Sequence, residues 1–357
     1  MRSNKSIARP VALVAGASGM VGSRLIHELL ATDWKVIGIC RRPPASPVPG
    51  CQYLHLDLAD AAACRAALIA HADITHVFYA GRHQHVTTAP EPIEINVAML
   101  RNVLDAAEEH APALRHVHAV HGGKVYGSTL GPYKTPAKET DPRVSTDTFY
   151  YGQEDLLRAR QPGKRWTWTI SRPLTVCDAN AAVVRNFPRL VAVYAAISRE
   201  LSLDLHFPGK ALAYASLYQT TEARQLARAM AWMAQAPNCA NQIFNVTNGD
   251  HFRWVHLWPA LADALGMRAG VPRPVRLGEV MADKGPVWDR VVARHGLQQT
   301  PFADAAIWSY GDFVMGHEYD VMSDTTKLRQ FGFHDVVDTH SMFERIFNAL
   351  RQARIVP

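Results

Sequence analysis

Three glycines near the start of the chain have the spacing that binds a dinucleotide phosphate. Gly16, Gly19 and Gly22 follow a continuous apolar run at 11–15, and helical spacing begins at Met20. Glycines in such a turn let the backbone approach a pyrophosphate, and the free N–H groups at the helix start favour negative charge. Because the motif stands between a predicted strand and a predicted helix, it indicates a dinucleotide site rather than a mere tight turn. The candidate cofactor ligands of this motif are Gly16, Ser18, Gly19, Met20, Val21 and Gly22.

Two arginines at the end of the second predicted strand indicate which dinucleotide is bound. Sites for NAD place an Asp or Glu there, to bond the ribose 2′-hydroxyl group. Here Arg41 and Arg42 follow Cys40, and guanidinium groups suit a 2′-phosphate, so we expect NADP(H). Asp57, at the end of the third predicted strand, is placed to accept a hydrogen bond from the adenine amino group, or else to cap the following helix.

The tyrosine–lysine pair that many nicotinamide-dependent reductases use is missing in its common spacing. None of the eleven tyrosines has a lysine four residues later; Tyr150 has Glu154 there, and Tyr151 has Asp155. In such a pair the lysine lowers the pKa of the tyrosine, so that the hydroxyl can act as an acid or a base. Either the chain lacks this chemistry, or a lysine from another element supplies it.

The elements that must position these residues alternate along the first half of the chain. Hydrophobic spacing predicts strands at 11–15, 35–39, 53–58, 75–79, 114–120 and 166–171. It predicts helices at 20–31, 59–70, 97–109 and 149–159. This order indicates an α/β fold with a Rossmann-type doubly wound parallel sheet, an NADP-binding domain at residues 1–173.

The second half of the chain is less regular. Residues 174–357 are expected to form a smaller, mostly helical lobe that covers the substrate, with some segments returning to the sheet. The predicted elements of this half are helices at 184–200, 222–234, 252–265 and 287–295 and a strand at 242–246.

The composition is that of a globular protein with a small ligand. The 357 residues include 38 Lys and Arg against 32 Asp and Glu, and this mild excess of +6 suits an anionic small molecule. No basic stripe interleaved with aromatic residues indicates nucleic acid, and the apolar runs are shorter than the roughly 20 residues of a membrane helix. The five cysteines form no Cys-x-x-Cys pair, so we expect a reducing, cytoplasmic setting.

Seventeen histidines raise the question of a metal site. His116 and His118 alternate on a predicted strand, and His83 and His85 lie close together in a loop. No His-Glu-x-x-His motif is present, and no carboxylate stands at a recognised ligand spacing. We therefore expect no metal, and histidines that are hydrogen-bonded or solvated.

Several segments resemble one known family along nearly the whole chain. Residues 148–155 read TFYYGQED and resemble the FYYxxED motif of the progesterone 5β-reductase and iridoid synthase (PRISE) family, an atypical branch of the extended short-chain dehydrogenases. Residues 121–127 read HGGKVYG and are similar to the TGxKHYxGP segment of that family. Further similar segments lie at 77–79, 99–104, 193–197, 244–250, 286–288 and 355–357.

The resemblance implies a different source for the missing lysine. In that family the catalytic lysine comes from the loop after strand five and the tyrosine from the next helix, which implies Lys124 and Tyr151 here. The implied activity is NADPH-dependent 1,4-reduction of activated C=C bonds in enones and enals. Tyr151 would bond the carbonyl oxygen and also contact the cofactor, and Lys124 would stabilise the enolate. Preorganised donors of this kind are each worth roughly 3–4 kcal/mol. The remaining candidate cofactor residues are Leu58, Ala80, Gly81 and Val176.

The chain also departs from the family pattern. Gly81-Arg82 stands where the family often has Thr-Trp, and 174–178 reads LTVCD where the family continues with an IFG segment. Arg82 would suit a substrate that bears a carboxylate, or it is a solvated loop arginine. The steroid and iridoid substrates of the family are therefore not carried over. The candidate residues of the substrate pocket are Arg82, Tyr126 and Asn186.

Two other functions stay open on the sequence alone. One is a carbonyl reductase or an epimerase- or dehydratase-type enzyme of the same fold, and the other is a non-catalytic NADP-binding protein. As partners we expect a small α,β-unsaturated carbonyl compound, no nucleic acid and no membrane, and we leave a homodimer open.

Overall fold

The computed structural model describes residues 9–44, 46–83, 91–145, 148–180 and 182–357. Its strands are β1 Val11–Ala15, β2 Lys35–Cys40, β3 Cys51–His55, β4 His76–Tyr79, β5 His116–Val120, β6 Thr167–Pro173, β7 Val176–Cys177, β8 Leu205–His206, β9 Leu217–Tyr218, β10 Thr221–Glu222, β11 Gln242–Val246, β12 Phe252–Arg253 and β13 Ala269–Gly270. Its helices are α1 Met20–Ala31, α2 Ala61–Leu68, α3 Ile93–His110, α4 Phe149–Arg160, α5 Phe187–Glu200, α6 Ala211–Ala215, α7 Ala223–Met233, α8 Trp254–Ala264, α9 Leu277–Val280, α10 Gly285–His295, α11 Phe302–Ala305, α12 Trp308–Met315, α13 Thr326–Phe331 and α14 Thr339–Gln352. Short 3₁₀ turns lie at Gly123–Tyr126 and Pro237–Cys239.

Seven strands form one sheet in the order β3-β2-β1-β4-β5-β6-β11, flanked by helices. Neighbouring strands from β3 to β6 pair in parallel, with β1 between β2 and β4. Strand β1 is buried along its whole length, as a central strand of a parallel sheet must be. The order reverses direction at β1, and ligands of such sheets bind where the order reverses, beyond the carboxyl ends of the strands. The predicted Rossmann-type parallel sheet is confirmed.

The chain divides into two compact units. The first consists of residues 1–125, 145–172 and 226–244, and the second of residues 126–144, 173–225 and 245–357. The break at 172/173 lies next to the border predicted at 173. Residues 226–244 return to the first unit because β11 takes the edge position beside β6. The second unit is not smaller than the first, and it also includes residues 126–144.

Each unit has a hydrophobic core of its own. In the first unit the core lies on the sheet and on the apolar sides of α2, α3 and α4, around residues such as Leu13, Val77 and Leu100. In the second unit it lies around α5, α8, α10 and α14, with Phe187 and Trp258 at its centre. Among the described residues, no helix combines the length and the apolar character that a membrane span requires.

Two predicted elements begin or end elsewhere for physical reasons. Strand β3 ends at His55 instead of residue 58, because its partner β2 ends at Cys40, opposite His55. Helix α5 begins at Phe187 instead of residue 184, because Asn186 is extended and Pro188 occupies the first turn, where it needs no N–H partner.

Candidate active site

The glycine turn between β1 and α1 has the close backbone approach that its sequence predicts. Gly16 has a φ of +84°, and a Cβ atom there would lie 2.7 Å from the Ala80 carbonyl oxygen. A Cβ atom on Gly22 would collide with the Gly16 carbonyl group, so the third glycine serves the packing of α1 against the turn. Gly19 donates its N–H to Gly16 at 3.0 Å and precedes the free end of α1 without a side-chain cap.

A cleft of about 250 Å³ opens at this turn, at the carboxyl ends of β1, β2 and β4. It is lined by Gly16, Ser18, Gly19, Ile39, Cys40, Arg41, Leu56, Asp57, Leu58, Ala80, Gly81, Arg82 and Met99. Most of the residues predicted to hold the cofactor thus border one cavity. Six residues predicted to hold the cofactor do not line this cleft: Met20, Val21, Gly22, Arg42, Tyr151 and Val176. Four residues that line it were not predicted: Ile39, Cys40, Leu56 and Met99.

Asp57 lies in the loop after β3 and faces this cleft. It is not the cap of α2: Asp60 is, and its carboxylate accepts the Ala63 N–H at 2.9 Å. The Asp57 carboxylate accepts the Ala59 N–H at 2.9 Å, which fixes the side chain at the cleft. Helix capping therefore does not explain Asp57, and its role toward adenine stays a prediction.

Tyr151 contacts the turn that carries Lys124 through a backbone carbonyl group. Lys124 lies in the 3₁₀ turn that follows β5, and Tyr151 lies in the first turn of α4. The Tyr151 hydroxyl donates to the carbonyl oxygen of Val125, the neighbour of Lys124, at 2.7 Å. Helix α4 starts here because the Thr148 hydroxyl caps it by accepting the Tyr150 N–H. Tyr151 therefore contacts the backbone of the 3₁₀ turn that carries Lys124, at the end of β5.

A carboxylate that the sequence analysis missed binds Lys124. Glu91 accepts hydrogen bonds at 3.1 Å from both the Lys124 ammonium group and the Arg82 guanidinium group, on the same oxygen. The Arg82 guanidinium also lies 5.8 Å from the centroid of the Phe149 ring. Arg82 is therefore half-buried and paired, which excludes the solvated loop arginine. No sequence motif links Glu91 to a lysine 33 positions away.

Helix α4 is anchored to β6 by a buried ion pair. Glu154 accepts from the Arg172 guanidinium at 3.0 Å, and both side chains are nearly inaccessible to solvent. Its second oxygen accepts from Arg158 at 2.9 Å, and the Arg158 guanidinium lies 5.0 Å from the ring of Trp168. Glu154 occupies the position four residues after Tyr150, where the common motif would place a lysine. Glu154 therefore holds α4 against β6.

Three predicted site residues belong to the second unit. Val176 lies in β7, which pairs with β10. The Tyr126 hydroxyl donates to the Asn245 side chain at 2.6 Å in a buried position. The Asn186 amide donates to the Asp178 carbonyl at 2.6 Å and accepts the Asp178 N–H at 3.3 Å, so it holds the loop before α5. Their roles toward cofactor and substrate stay predictions.

His116 and His118 form a hydrogen-bonded network between β5 and β6. His116 and His118 on β5 are buried and bonded to hydroxyl groups of β6, whereas His85 lies outside the described residues. Burial lowers the pKa of His118 to about 3, which keeps the ring neutral. In the part of the chain that the structure describes, no three His, Cys, Asp or Glu side chains are grouped to hold a metal ion.

The sheet order and the glycine turn define a Rossmann-fold protein. Solved structures of UDP-glucose 4-epimerases share this fold. The enzyme of Thermotoga maritima with UDP-glucose superposes with a TM-score of 0.68 at 14% identity, over 96% of this chain and 99% of that one. The Thermus thermophilus enzyme in complex with NAD superposes with a TM-score of 0.67 at 18% identity, over 96% and 99%.

The family itself is identified by sequence. The profile of the PRISE-like Rossmann-fold domain matches residues 46–357. An (S)-8-oxocitronellyl enol synthase of Nepeta cataria is 34% identical over 97% of this chain and 92% of its own length. A 3-oxo-Delta(4,5)-steroid 5-beta-reductase of Arabidopsis thaliana is 32% identical, over 97% and 93%. The chain belongs to the PRISE family, and the resemblance seen in its motifs is confirmed.

Proposed function

We propose that this protein is an NADPH-dependent reductase that adds hydride 1,4 to small enones and enals. The relatives include a 3-oxo-Delta(4,5)-steroid 5-beta-reductase, whose name describes reduction of a C=C bond conjugated to a carbonyl group. The observation that carries the proposal is the hydrogen bond from the Tyr151 hydroxyl to the Val125 carbonyl oxygen, next to Lys124 in the chain. Glu91 joins Lys124 to Arg82, which lines the dinucleotide cleft, so the donors and the cleft are contiguous.

The cleft fits a dinucleotide on structural grounds. Its floor is a backbone cradle, since even a methyl group at Gly16 would meet Ala80. The start of α1 offers uncapped N–H groups to a pyrophosphate. Arg41 lines the cleft and Arg42 follows it, both exposed, which supports a 2′-phosphate and therefore NADPH. Asp57 is fixed at the position proposed for the adenine amino group.

The proposed chemistry needs donors where negative charge develops. When bound, NADPH supplies the hydride to the β-carbon of the enone. The Tyr151 hydroxyl donates to the carbonyl oxygen as it becomes an enolate, and the Lys124 ammonium stabilises that charge. A phenol has one proton to donate, so Tyr151 must turn from the Val125 carbonyl group to the substrate. A proton from solvent at the α-carbon completes the saturated product.

The residues that follow β5 support the proposal that Lys124 polarises the substrate carbonyl group. Residues 121–123 read His-Gly-Gly and provide no hydroxyl group for a carbonyl oxygen. The buried His121 ring stacks on Tyr150 with 4.8 Å between centroids, and the backbone N–H of His121 donates to the Ser171 carbonyl oxygen at 2.8 Å. The cationic donor at Lys124 then takes the position that a serine or threonine hydroxyl has elsewhere.

We also propose that the protein is located in the cytoplasm. None of the five cysteines, all of which the structure describes, is in a disulfide, and four of them are buried, which supports a reducing, cytoplasmic environment. The substrate is a small molecule, and a homodimer stays open.

A panel of paired substrates tests the proposal. Small enones and enals, each with its saturated ketone or aldehyde, are incubated with NADPH and the wild-type protein, and products are identified by mass spectrometry and NMR. We expect saturated carbonyl products from the enones and no turnover of the saturated partners. An allylic alcohol would instead identify a carbonyl reductase. NADPH binding without turnover of any compound would identify a non-catalytic NADP-binding protein.

A further inference from the structure

The Glu91 carboxylate lies between two cations of the candidate site. One of its oxygens is 3.1 Å from Lys124 Nζ and 3.1 Å from the Arg82 guanidinium nitrogen. Only 10% of the Glu91 side chain is exposed, against 34% for Lys124 and 31% for Arg82. The carboxylate is thus the most enclosed member of the cluster that we call the Glu91 triad, made of Glu91, Lys124 and Arg82.

The backbone around Glu91 is built to hold it in place. Pro92 follows it directly and precedes the first residue of α3. The buried Asn96 side chain donates to the Pro92 carbonyl at 2.7 Å and accepts the His83 N–H at 2.8 Å, which ties the start of α3 to the segment that carries Arg82. Gln153 of α4 donates to the Asn96 carbonyl at 2.9 Å. The start of α3, the segment that carries Arg82, and α4 therefore hold the backbone next to Glu91 in place.

The charges of the triad determine what the site presents to a substrate. Two cations and one carboxylate carry a formal charge of +1. Without Glu91 the same two cations would carry +2 and would repel each other. Partly enclosed charges a few ångströms apart interact more strongly than they do in water. The carboxylate therefore neutralises Arg82, leaves one net cation for an enolate oxygen, and places a negative charge where a substrate carboxylate would approach Arg82.

We propose that Glu91 is a positioning and specificity-determining residue, which holds the Lys124 ammonium group and makes the site select uncharged enones over enones that bear a carboxylate. This inference rests on the proposed function. It reverses the expectation that Arg82 favours a substrate carboxylate, because the Arg82 guanidinium is already paired with Glu91.

A substrate pair that differs only in charge tests the inference. Cyclohex-2-en-1-one bearing a 4-carboxylate is compared with its methyl ester, and the ratio of kcat/KM for acid over ester is measured. Glu91→Gln keeps the side-chain size and removes the charge. We expect it to raise the acid/ester ratio roughly fivefold to tenfold and to lower kcat for the ester. Arg82→Gln is expected to shift the ratio in the opposite direction.

Matched controls separate charge at this position from charge in general. Glu94→Gln makes the same change on an exposed residue in the first turn of α3, and we expect the wild-type ratio. Glu91→Gln combined with Arg82→Gln should return the ratio toward wild type. The inference would be overturned if Glu91→Gln had the same acid/ester ratio as Glu94→Gln. It would also be overturned if Glu91→Gln and Arg82→Gln shifted that ratio in the same direction.

A binding measurement keeps this test separate from the test of the proposed function. The saturated acid and its methyl ester are titrated calorimetrically into each variant with NADP⁺, so that no turnover is needed. The acid/ester ratio of dissociation constants must shift as the kinetic ratio does. A wild-type protein that binds this pair selectively but reduces no enone would refute the proposed function alone.

Discussion

Tyr151 has one hydroxyl proton and, in the structure, donates it to the Val125 carbonyl oxygen. A substrate oxygen must compete for the same proton, and removing the hydroxyl group leaves the developing enolate with one donor fewer. We therefore expect Tyr151→Phe to lower turnover of an enone at least about tenfold. Affinity for NADPH should stay largely intact, because the cleft is lined by other residues. Steady-state kinetics and fluorescence titration with NADPH measure both quantities.

The neighbouring tyrosine provides the control for that substitution. The Tyr150 ring stacks on His121, and Tyr150→Phe keeps the ring while removing an equivalent hydroxyl group one residue away. This variant should retain turnover within about fivefold of wild type, since one lost hydrogen bond outside the reacting atoms is worth only about 1 kcal/mol. Equal losses in the two variants would show that Tyr151 is not the donor to the substrate.

The proposed preference for NADPH over NADH rests on the two arginines after β2. Arg41 and Arg42 are exposed at the end of β2, and a guanidinium group pairs with phosphate in a bidentate manner. Replacing both by alanine should weaken binding of NADPH by roughly tenfold or more and leave binding of NADH nearly unchanged. Calorimetric titration with both cofactors measures the two constants, with Arg65→Ala in exposed α2 as the control. Equal losses for NADPH and NADH would refute the assignment.

Residues in local motifs could be predicted from the sequence, and residues in long-range contacts could not. The glycine turn is a local pattern whose spacing reflects backbone geometry, and Gly16 and Gly19 both line the cleft. Glu91 was missed because its partners Lys124 and Arg82 lie in other loops, and their approach depends on tertiary packing. Asp57 was placed correctly near the cleft, but its alternative as a helix cap was wrong because Asp60 has that role.

At the scale of elements, the position of α4 depends on the buried pair of Glu154 with Arg172. Breaking a buried pair leaves an unpaired charge in the interior, which costs about 3–5 kcal/mol. We expect Glu154→Gln to lower the free energy of unfolding by about 3 kcal/mol, and to lower turnover because Tyr151 lies in the same helix. Urea denaturation followed by circular dichroism measures the first effect.

A substitution at the residue next to Glu154 distinguishes the loss of the buried ion pair from the loss of a negative charge on α4. Asp155→Asn makes the same carboxylate-to-amide change on an exposed side chain of α4, and a surface substitution of this kind is expected to alter stability by at most about 0.5 kcal/mol. If Glu154→Gln and Asp155→Asn were equally mild, the pair would not be what anchors α4 to β6.

The presence of the strands and helices of the first unit could be predicted from the sequence more accurately than their first and last residues. Helix α1 has the predicted bounds of 20–31, since its glycine turn and its apolar side are both local signals. Helix α3 begins four residues earlier than predicted, at Ile93 rather than 97, because its first turn is set by Pro92 and by the contacts of Asn96. Such tertiary contacts leave no periodic signal in one chain.

At the scale of the whole molecule, the two units were harder to predict than the sheet. A linear border at 173 could not anticipate that residues 126–144 join the second unit, or that residues 226–244 return to the first. The return follows from strand pairing at the sheet edge, which depends on β6 and β11 being neighbours in space. Hydrophobic spacing identifies an apolar strand but not the strand beside which it lies.

The interior of the first unit contains a ladder of imidazole and hydroxyl groups between β5 and β6. His116 bonds to Thr167 at 2.9 Å and to Thr169 at 2.8 Å, and His118 bonds to Thr169 at 2.7 Å and to Ser171 at 3.0 Å. The Thr169 hydroxyl has one proton, so it donates to one ring and accepts from the other. Two doubly protonated rings would both need it as an acceptor and would repel each other, so the ladder favours neutral histidines.

Stability of the first unit should therefore fall on mild acidification. Burial lowers the pKa of His118 to about 3, and burial beside Arg115 lowers that of His76 to about 4. Burial also holds the pKa of His116 well below its usual range. The unfolded chain binds protons on these rings below about pH 6.5 and the folded chain does not, so the contribution is complete above pH 6.5 and is lost as the pH falls toward 4.

When the pH is lowered from 7 to 5, protonation of His118 in the unfolded chain alone is expected to lower the free energy of unfolding by about 2 kcal/mol. In His118→Gln, which can still bond to Thr169 and Ser171 but does not titrate, that part of the pH dependence should disappear, whatever the variant costs at pH 7. His55→Gln on the exposed edge strand β3 is the control and should keep the wild-type slope. Urea denaturation at intervals from pH 5 to pH 8 measures the slopes. Parallel curves for wild type and His118→Gln would show that the ladder already binds a proton in the folded state.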